Sequence, residues 1–423
     1  MMLHSIRNIK NLKGKTVLLR VDFNVPVMKG RVDATEDFRL VRVVPTIQFL
    51  LKGGARVILL SHRGRPEGRV REDLRLTPVA ERLRQLLNKE LGIRNYGNHG
   101  GHDSLFMIHN SKTREELQSL FPAYTIAPGV TMLENLRFDP REEANDADFA
   151  KALASMGDIY VNDAFAVSHR KNASVHAITK YLPSYAGLLM EEELQHLSSI
   201  FRKPKRPLVV ILGGAKISTK IGLVQKFLHH ADFVLLGGGL ANTLFKFQGH
   251  AVGKSLVEDS MMDTLRTLKK ISHLVIPTDV AVAVSLKGKK RITAVDGIRK
   301  NEAIFDIGPK TVDLFSSLIA KAGMIVWNGP LGYFEEKKFA KSTFDVLGAV
   351  LKNKKAKTII GGGETVTAFR QFQHDSRLPR ANASALARGS TIHDSRLFLS
   401  TGGGAMLEYM EQGTLPSIEP LLR

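Results

Sequence analysis

Basic side chains follow several strand-like segments in the first half of the chain. The apolar run at 57–60 ends in the segment SHRGRP, which carries His62 and Arg65. Comparable positions hold Asp22, Phe23 and Asn24, then Asn135 and Arg137, then Asn162 and Asp163 followed by His169 and Arg170, with Arg39 in a turn before a helix. Guanidinium and imidazole groups bind carboxylate and phosphate oxygens. The pattern therefore predicts an anion site.

Glycine pairs and triplets take the corresponding positions in the second half. They are Gly213-Gly214, Gly237-Gly238-Gly239, Gly361-Gly362-Gly363 and Gly402-Gly403-Gly404, each between a strand-like and a helical segment. Glycine there lets the backbone approach a phosphate group, toward which helix N–H groups then point. Lys216 and Lys220 are four residues apart, which predicts that both lie on one helix face as mobile positive charge for a triphosphate. Together these features predict a nucleotide site.

The elements that must position these residues alternate regularly along the chain. Short apolar runs such as PLVVILGG (207–214) and GMIVWNGP (323–330) are separated by amphipathic segments such as PVAERLRQLLNKEL (78–91) and STKIGLVQKFLHHA (218–231). Near-continuous apolar strands separated by helices predict parallel sheets covered on both faces, a doubly wound α/β fold. In such sheets ligands bind beyond the carboxyl ends of the strands.

The length of 423 residues predicts two domains. A helical segment begins near Met190 and ends before Pro204 and Pro207, so we expect this helix to join the domains.

Composition narrows the class of protein. The chain has no cysteine, which excludes disulfides, thiolate metal sites and cysteine nucleophiles. No apolar run is long enough to span a bilayer, and the opening segment does not resemble a secretory signal, so we predict a cytoplasmic protein. Lys and Arg number 61 against 41 Asp and Glu, a formal charge of +20. This excess is spread along the chain, which favours a solvated basic surface over a dedicated nucleic-acid site.

Several motifs that carry other chemistries are absent or imperfect. The segment GHAVGKS at 249–255 has too few residues between its glycines for a P-loop. No G-x-G-x-x-G follows the first strand of either half, and no G-x-S-x-G elbow occurs, which argues against dinucleotide oxidoreductases and α/β-hydrolases. The polar segments 94–113 and 370–395 contain His99, His102, His109, His374 and His393, whose irregular spacing favours solvated loops over a metal site.

Ten motifs follow one another in the order found in phosphoglycerate kinases, and the resemblance covers nearly the whole chain. They are RVDFNVP, SHRGRP, LENLRF, VNDAF with the following HR, GGAKIS, GGGLANT, DIGPKTV, WNGPLGYFE, GGGETV and STGGGAMLE. The resemblance implies two Rossmann-like domains joined by a hinge helix. Residues 1–188 would bind 3-phosphoglycerate or 1,3-bisphosphoglycerate and residues 189–405 would bind MgATP or MgADP. Residues 406–423 would pack back on the first domain.

The resemblance also implies a set of site residues. The substrate-binding residues would be Asp22, Phe23, Asn24, Arg39, His62, Arg65, Arg137, His169 and Arg170. The nucleotide-binding residues would be Lys216, Lys220, Gly238, Asn328, Glu335, Gly362, Gly363, Glu364 and Thr365, with Glu364 as the Mg²⁺ contact through the nucleotide phosphates. The catalytic group would be Arg39, Lys216, Lys220 and Gly403.

The implied reaction is reversible phosphoryl transfer between 1,3-bisphosphoglycerate and ADP, giving 3-phosphoglycerate and ATP in glycolysis or gluconeogenesis. Hinge closure would bring the ligands together for in-line transfer, and an ionised carboxylate nucleophile needs no general base. We expect a monomer, with nucleic acid not a primary partner. The alternatives are another acyl-phosphate kinase on a similar fold, or a nucleic-acid or other anion-binding protein that has lost catalysis.

Three residues depart from the pattern of the family. Glu364 replaces an aspartate, Arg63 replaces an apolar residue, and Ala166 replaces a glycine. None of these changes removes a charged group that the chemistry needs, and Arg63 is interpreted as an extra surface charge outside the principal site.

Overall fold

The computed structural model describes residues 3–34, 36–91, 122–266, 273–374 and 395–422. Segment 94–113 and residues 375–394 lie outside the described residues, as does the side chain of His374. The preference for solvated loops over a histidine metal site therefore stays a prediction. The chain divides into two compact units, one formed by Met1–Gln195 with Gln412–Arg423 and the other by His196–Glu411.

The first unit is built on a six-stranded sheet with strand order β3-β4-β2-β1-β5-β6. Its strands are β1 Thr16–Arg20, β2 Arg56–Leu60, β3 Ala123–Ala127, β4 Val130–Leu133, β5 Ile159–Asn162 and β6 Ser184–Ala186, and its helices are α1 Phe38–Lys52, α2 Thr77–Leu91, α3 Pro140–Glu143, α4 Ala147–Ala154 and α5 Leu188–Arg202. All neighbouring strands are parallel except β3 and β4. Helix α5 crosses the division at Gln195.

The pairing of β1 with its two neighbouring strands determines where the predicted anion-site residues leave the sheet. Arg20, the last residue of β1, pairs in register with Leu60 of β2 and with Asn162 of β5. The residues that follow these three strands therefore leave the sheet side by side at its carboxyl edge. The apolar side chains of β1 and β2 are buried, because helices cover both faces of a parallel sheet.

The second unit contains another six-stranded sheet, with order β15-β14-β13-β7-β8-β9 and every pair parallel. Its strands are β7 Leu208–Leu212, β8 Phe233–Leu236, β9 Leu274–Val275, β13 Met324–Asn328, β14 Lys357–Gly361 and β15 Leu397–Leu399. Its helices are α6 Ile221–Leu228, α7 Gly238–Phe247, α8 Met262–Leu265, α9 Pro309–Lys321, α10 Lys341–Lys352, α11 Gly363–His374 and α12 Gly404–Gln412. The predicted α/β class with two largely parallel sheets is confirmed.

A small antiparallel sheet in the second unit departs from the predicted all-parallel pattern. It has the order β11-β10-β12, with β10 Asp279–Ala283, β11 Arg291–Ala294 and β12 Ala303–Ile307. Strand β11 alternates half-buried and exposed residues, as a strand does when one sheet face meets solvent. Sequence reasoning missed it because the search followed continuous apolar runs.

The chain terminus packs on the first unit. The amide of His4 donates to the carbonyl of Leu421 at 2.8 Å, and Leu3 forms an antiparallel bridge with Leu422. Leu415, Ile418 and Leu421 are all buried, with at most 1% of the surface of each residue exposed. These last residues therefore supply part of the first unit's core.

We expect Leu421→Ala to destabilise the first unit by about 2–5 kcal/mol, because a fully buried leucine leaves a cavity. Hydrogen exchange followed by mass spectrometry should show faster exchange in β6, against which the turn Glu419–Leu421 packs. The exposed Gln412→Ala change is the control and should leave that exchange rate unaltered. Unchanged protection of β6 in Leu421→Ala would contradict this role of the tail.

Candidate active site

An ion pair joins the turn after β1 to the start of α1. Arg39 Nη1 donates to Asp22 Oδ2 at 2.7 Å and to the carbonyl of Asn24 at 3.1 Å. The amide of Asn24 donates in turn to Asp22 Oδ1 at 3.1 Å. Asp22 is buried while 27% of the Arg39 side chain stays exposed. Asp22 thus fixes the arginine without closing it off from a ligand.

His62 lies at the buried end of the same site, directly after β2. Its Nδ1 lies 3.2 Å from Arg20 Nη2 and 3.9 Å from Asp22 Oδ1. Burial lowers the pKa of His62 well below its usual value, and the positive charges of Arg20, Arg137, Arg39 and Arg170 lower it further. The imidazole is therefore neutral near pH 7, and the contact with Asp22 is not a salt bridge.

Arg137 and Asn24 both bind the backbone of the loop after β2. Arg137 Nη1 donates to the carbonyl of Gly64 at 2.8 Å, and the Gly64 amide donates to Asn24 Oδ1 at 3.0 Å. Burial lowers the pKa of Arg137 to about 10, with nearby Glu143 opposing and Arg170 and Arg20 adding to the effect. Arg65 is exposed, and within the described ranges no hydrogen bond or ion pair holds its guanidinium.

Arg63 has a structural role rather than that of a loose surface charge. Its Nη1 donates to the carbonyl of Asp73 at 2.6 Å, within the short helical turn Glu72–Leu74, and to that of Arg75 at 3.2 Å, directly after the turn. The interpretation of Arg63 as an extra surface charge was therefore wrong, although its place outside the principal site is consistent with these contacts.

The segment that carries His169 and Arg170 is held by the chain terminus. The Ser417 amide donates to the carbonyl of Ser168 at 3.1 Å, and its hydroxyl donates to the carbonyl of Arg170 at 2.9 Å. Arg170 Nε also donates to His169 Nε2 at 3.4 Å. Partial burial and the charge of Arg170 lower the pKa of His169. Two imidazoles of this site thus act as neutral groups beside several arginines.

In the second unit, Lys220 is bound by protein oxygens at the ends of β7 and β13. Its ammonium donates to the carbonyl of Gly213 at 2.7 Å, to Asn328 Oδ1 at 2.8 Å and to the carbonyl of Asn328 at 3.2 Å. Burial lowers the pKa of Lys220 to about 8, with the negative charge of Glu364 opposing that shift. All three ammonium protons are used, so a phosphate contact would replace one of these bonds.

The two predicted lysines do not share a helix face. Helix α6 begins at Ile221, with Lys220 at its N-cap position, while Lys216 is exposed in the preceding turn. The helix therefore begins three residues later than the segment 218–231 predicts. The prediction that both lysines are mobile on one face was therefore wrong: three hydrogen bonds hold the Lys220 ammonium, whereas within the described part of the chain none holds that of exposed Lys216.

Glycines permit close backbone approach around Lys220. Gly238 has φ +60°, and a Cβ there would lie 2.8 Å from the carbonyl oxygen of Gly214. Gly362 has φ +91°, and the Thr365 hydroxyl beside it accepts from the amide of Gly329 at 2.6 Å. The remaining predicted glycines, Gly363 and Gly403, have open space where a Cβ would stand, and Gly403 has φ +52°.

Two acidic residues lie exposed among the predicted nucleotide contacts. Glu364 is in the first turn of α11, and Glu335 follows β13 in the segment WNGPLGYFE. Half-buried Glu258 is a further acidic residue that sequence analysis missed. Its Oε1 accepts from the Ser218 hydroxyl at 2.6 Å and its Oε2 from the Ser218 amide at 2.9 Å. Burial alone would raise the pKa of Glu258, but the bonds from Ser218 and the charge of nearby Lys216 lower it below its usual value. Glu258 thus orders the turn that carries Lys216.

Comparison with known proteins shows to which family the chain that carries these two sets of residues belongs. The sequence model of phosphoglycerate kinase matches residues 6–413. The chain belongs to the phosphoglycerate kinase family. It is 41% identical to the phosphoglycerate kinase of Thermomicrobium roseum over 99% of each sequence, and 41% identical to that of Synechococcus elongatus, covering 97% of this chain and 96% of the relative. It is similar to the structure of the Coxiella burnetii phosphoglycerate kinase, with a TM-score of 0.76, 36% identity and 99% of each chain covered.

Membership of the phosphoglycerate kinase family confirms the resemblance drawn from the ordered motifs, and with it the prediction of a phosphotransferase. The predicted fold class is shared with solved members of the family. Within the described part of the chain, no helix is both long and apolar enough to cross a membrane.

Because the pKa of free Lys220 is about 8, ADP affinity should depend on pH. The lysine is positive below that value and neutral above it, so we expect the Kd for ADP to rise between pH 7.5 and 9, approaching about tenfold. Isothermal calorimetry measures this directly. The Lys220→Met variant should bind ADP weakly at every pH, and its Kd should not rise between pH 7.5 and 9. A step of the same size in the variant would contradict the assignment to Lys220.

Proposed function

We propose that this chain catalyses reversible phosphoryl transfer between 1,3-bisphosphoglycerate and ADP, producing 3-phosphoglycerate and ATP. The observation that carries the proposal is the pair of sites at strand ends: arginines and neutral imidazoles in the first unit, and glycine turns with lysines in the second. Family membership supports the same substrates. The chemistry suits two anionic ligands bound by separate units.

In the proposed first-unit site, phosphoglycerate is bound by Arg39, Arg65, Arg137 and Arg170, with the imidazoles of His62 and His169. Arginine pairs its planar N–H groups with two oxygens of a carboxylate or phosphate. Exposed Arg65 and partly exposed Arg39 can reorient toward the ligand, whereas Arg137 is buried against Gly64. Asp22, Phe23 and Asn24 shape the turn that supports Arg39.

No general base is required for the proposed transfer. The acceptor carboxylate of 3-phosphoglycerate is ionised near neutral pH, so it needs no deprotonation. The lowered pKa of His62 and its deep burial suit a neutral hydrogen-bond donor to an oxygen of the substrate. Transfer then depends on in-line positioning and on charge stabilisation by Arg39 from the acid side and Lys216 from the nucleotide side.

In the proposed second-unit site, the nucleotide phosphates meet Lys216, Lys220 and the amides that begin α11 and α12. Gly362, Gly363 and Thr365 lie at the start of α11, and Gly403 directly precedes α12, whose first turn is proposed to face the transferred phosphoryl group. Helix N-termini attract phosphate through their free N–H groups. The amides near Gly403 are thus proposed to stabilise the charge that develops during transfer.

The residues present fit Mg²⁺ bound with the nucleotide. No group of three acidic or histidine side chains among the described residues forms a ready metal cage. Mg²⁺ commonly takes one or two carboxylates plus substrate phosphates, a role that exposed Glu364 near Lys220 can fill. When bound, the ion neutralises charge on the phosphate oxygens. Glu335 is proposed as a further contact to the nucleotide.

Transfer requires the two bound ligands to meet with water excluded, since water would hydrolyse the acyl phosphate. Closure about the hinge helix is the proposed route. A cytoplasmic location, a monomeric state and the absence of a primary nucleic-acid partner stay predictions from the sequence.

A coupled assay tests the proposed function. ATP and 3-phosphoglycerate are supplied with glyceraldehyde-phosphate dehydrogenase, and formation of the acyl phosphate is followed as loss of NADH. Turnover with 3-phosphoglycerate but not acetate would separate this activity from that of another acyl-phosphate kinase. Folded protein that gives no NADH loss would overturn the proposal.

Arg39→Ala should lower kcat by at least about a hundredfold, because the guanidinium that stabilises the transferring group is lost. Calorimetry should find the Kd for ADP unchanged, since Arg39 belongs to the first unit. Arg56→Ala, an exposed arginine at the opposite end of β2, is the matched control and should keep normal turnover. Near-normal turnover in Arg39→Ala would remove Arg39 from the catalytic group.

Lys216→Ala should lower kcat more than it raises the KM for ATP, because its charge is needed most where negative charge develops on the transferring phosphoryl group. Steady-state kinetics separates the two constants. A rise in KM with normal kcat would show that Lys216 contributes only to binding of the ground state.

A further inference from the structure

We propose that Arg20 is a positioning residue that holds His62 in the tautomer with its proton on Nε2, so that the imidazole donates to the phosphoglycerate site. This inference rests on the proposed function for its consequence in kinetics. The tautomer itself is a property of the free protein and is measurable without activity.

A continuous line of buried polar groups leads to His62. Glu142 accepts from the Ser174 hydroxyl at 2.6 Å and from its amide at 2.9 Å. The Ser174 hydroxyl accepts from Arg20 Nε at 2.8 Å, and Arg20 Nη2 lies 3.2 Å from His62 Nδ1. Arg20 also donates through Nη1 to the carbonyl of Val21. All four side chains in the line are at most 2% exposed.

The direction of each bond follows from the chemistry of the groups. A guanidinium has only N–H donors, so the Arg20–His62 bond requires a lone pair on His62 Nδ1. A neutral imidazole then carries its single proton on Nε2. The Ser174 hydroxyl proton is committed to Glu142, which leaves its oxygen to accept from Arg20. Glu142 therefore fixes the orientation of Ser174, and Ser174 fixes that of Arg20.

Asp22 is the group that could favour the opposite tautomer. Its Oδ1 lies 3.9 Å from His62 Nδ1, beyond hydrogen-bond distance, and it already accepts from the amide of Asn24. Its other oxygen accepts from Arg39. The remaining charges that act on His62 are Arg137, Arg39 and Arg170, and all are positive. The surroundings thus oppose protonation at Nδ1 and leave Arg20 as its closest partner.

The consequence is a donor whose state does not change across the working pH range. Burial and the surrounding arginines lower the pKa of His62, so the ring stays neutral, and Arg20 determines which nitrogen carries the proton. A free histidine would exchange between tautomers and would titrate near pH 6.5. Fixing the Nε2 proton removes that exchange before an anion binds.

Two-dimensional ¹H–¹⁵N spectra of histidine-labelled wild-type protein test the tautomer directly. His62→Gln identifies the His62 signals. We expect the ¹⁵N shifts of His62 to show a protonated Nε2 and an unprotonated Nδ1, unchanged from pH 6 to 8. A proton on Nδ1, an equal mixture of tautomers, or titration near pH 6.5 would each overturn the inference.

Arg20→Met tests the causal role, with Arg56→Met as the matched control on the neighbouring strand β2. In Arg20→Met we expect His62 to remain neutral but to populate both tautomers, and the KM for 3-phosphoglycerate to rise about tenfold with the KM for ATP unchanged. A folded variant with wild-type spectra would show that Arg20 is only structural.

If Arg20→Met does not fold, the wild-type spectra still decide the tautomer. Ser174→Ala then tests the hydrogen bond that orients Arg20. Loss of the Ser174 hydroxyl frees Arg20 Nε, so His62 should show exchange between tautomers. A single Nε2-protonated tautomer in Ser174→Ala would refute the role given to the Glu142–Ser174 pair. Inactive wild-type protein with the expected spectra would instead count against the proposed function alone.

Discussion

Positive charge held at the carboxyl edge of a parallel sheet is the constraint on which the first unit depends. Arg20, Arg137 and His62 are buried there, and burial together with mutual repulsion lowers the pKa of both His62 and Arg137. A buried charge is tolerated only when hydrogen bonds replace its hydration. For the two buried arginines these bonds come from the carbonyls of Val21 and Gly64, the Ser174 hydroxyl and the Glu143 carboxylate.

These hydrogen bonds compensate for only part of the positive charge in the site. Arg20 is fixed through three of its N–H groups and Arg137 through two, while Arg65 and part of Arg39 still face solvent. An anion with several oxygens can supply the missing negative charge. The site is therefore preorganised by contacts that hold the cations in place, and ligand binding relieves repulsion that folding has already built in.

Much of this arrangement could be predicted from the sequence, because the end of an apolar run identifies a strand exit. His62, Asp22 and Asn328 all lie where that rule puts them. Arg20 was missed because it stands inside the strand run TVLLRVDF, where nothing local shows that its side chain reaches Ser174 and His62. An arginine within a buried run was the available signal. Lys220 was misplaced because its bonds to Gly213 and Asn328 depend on strands that are far apart in sequence.

The role of Ser417 was equally hidden, since its contacts join residues about 250 positions apart. These bonds have a consequence for biosynthesis. The strands that end at Asp22, His62 and Asn162 leave the ribosome early, yet the backbone of Ser168 and Arg170 gains its partners only when the last residues emerge. A nascent chain therefore lacks the partners of the His169–Arg170 segment until Ser417 has been added, so the anion site proposed for the first unit is completed late although most of its residues are made early.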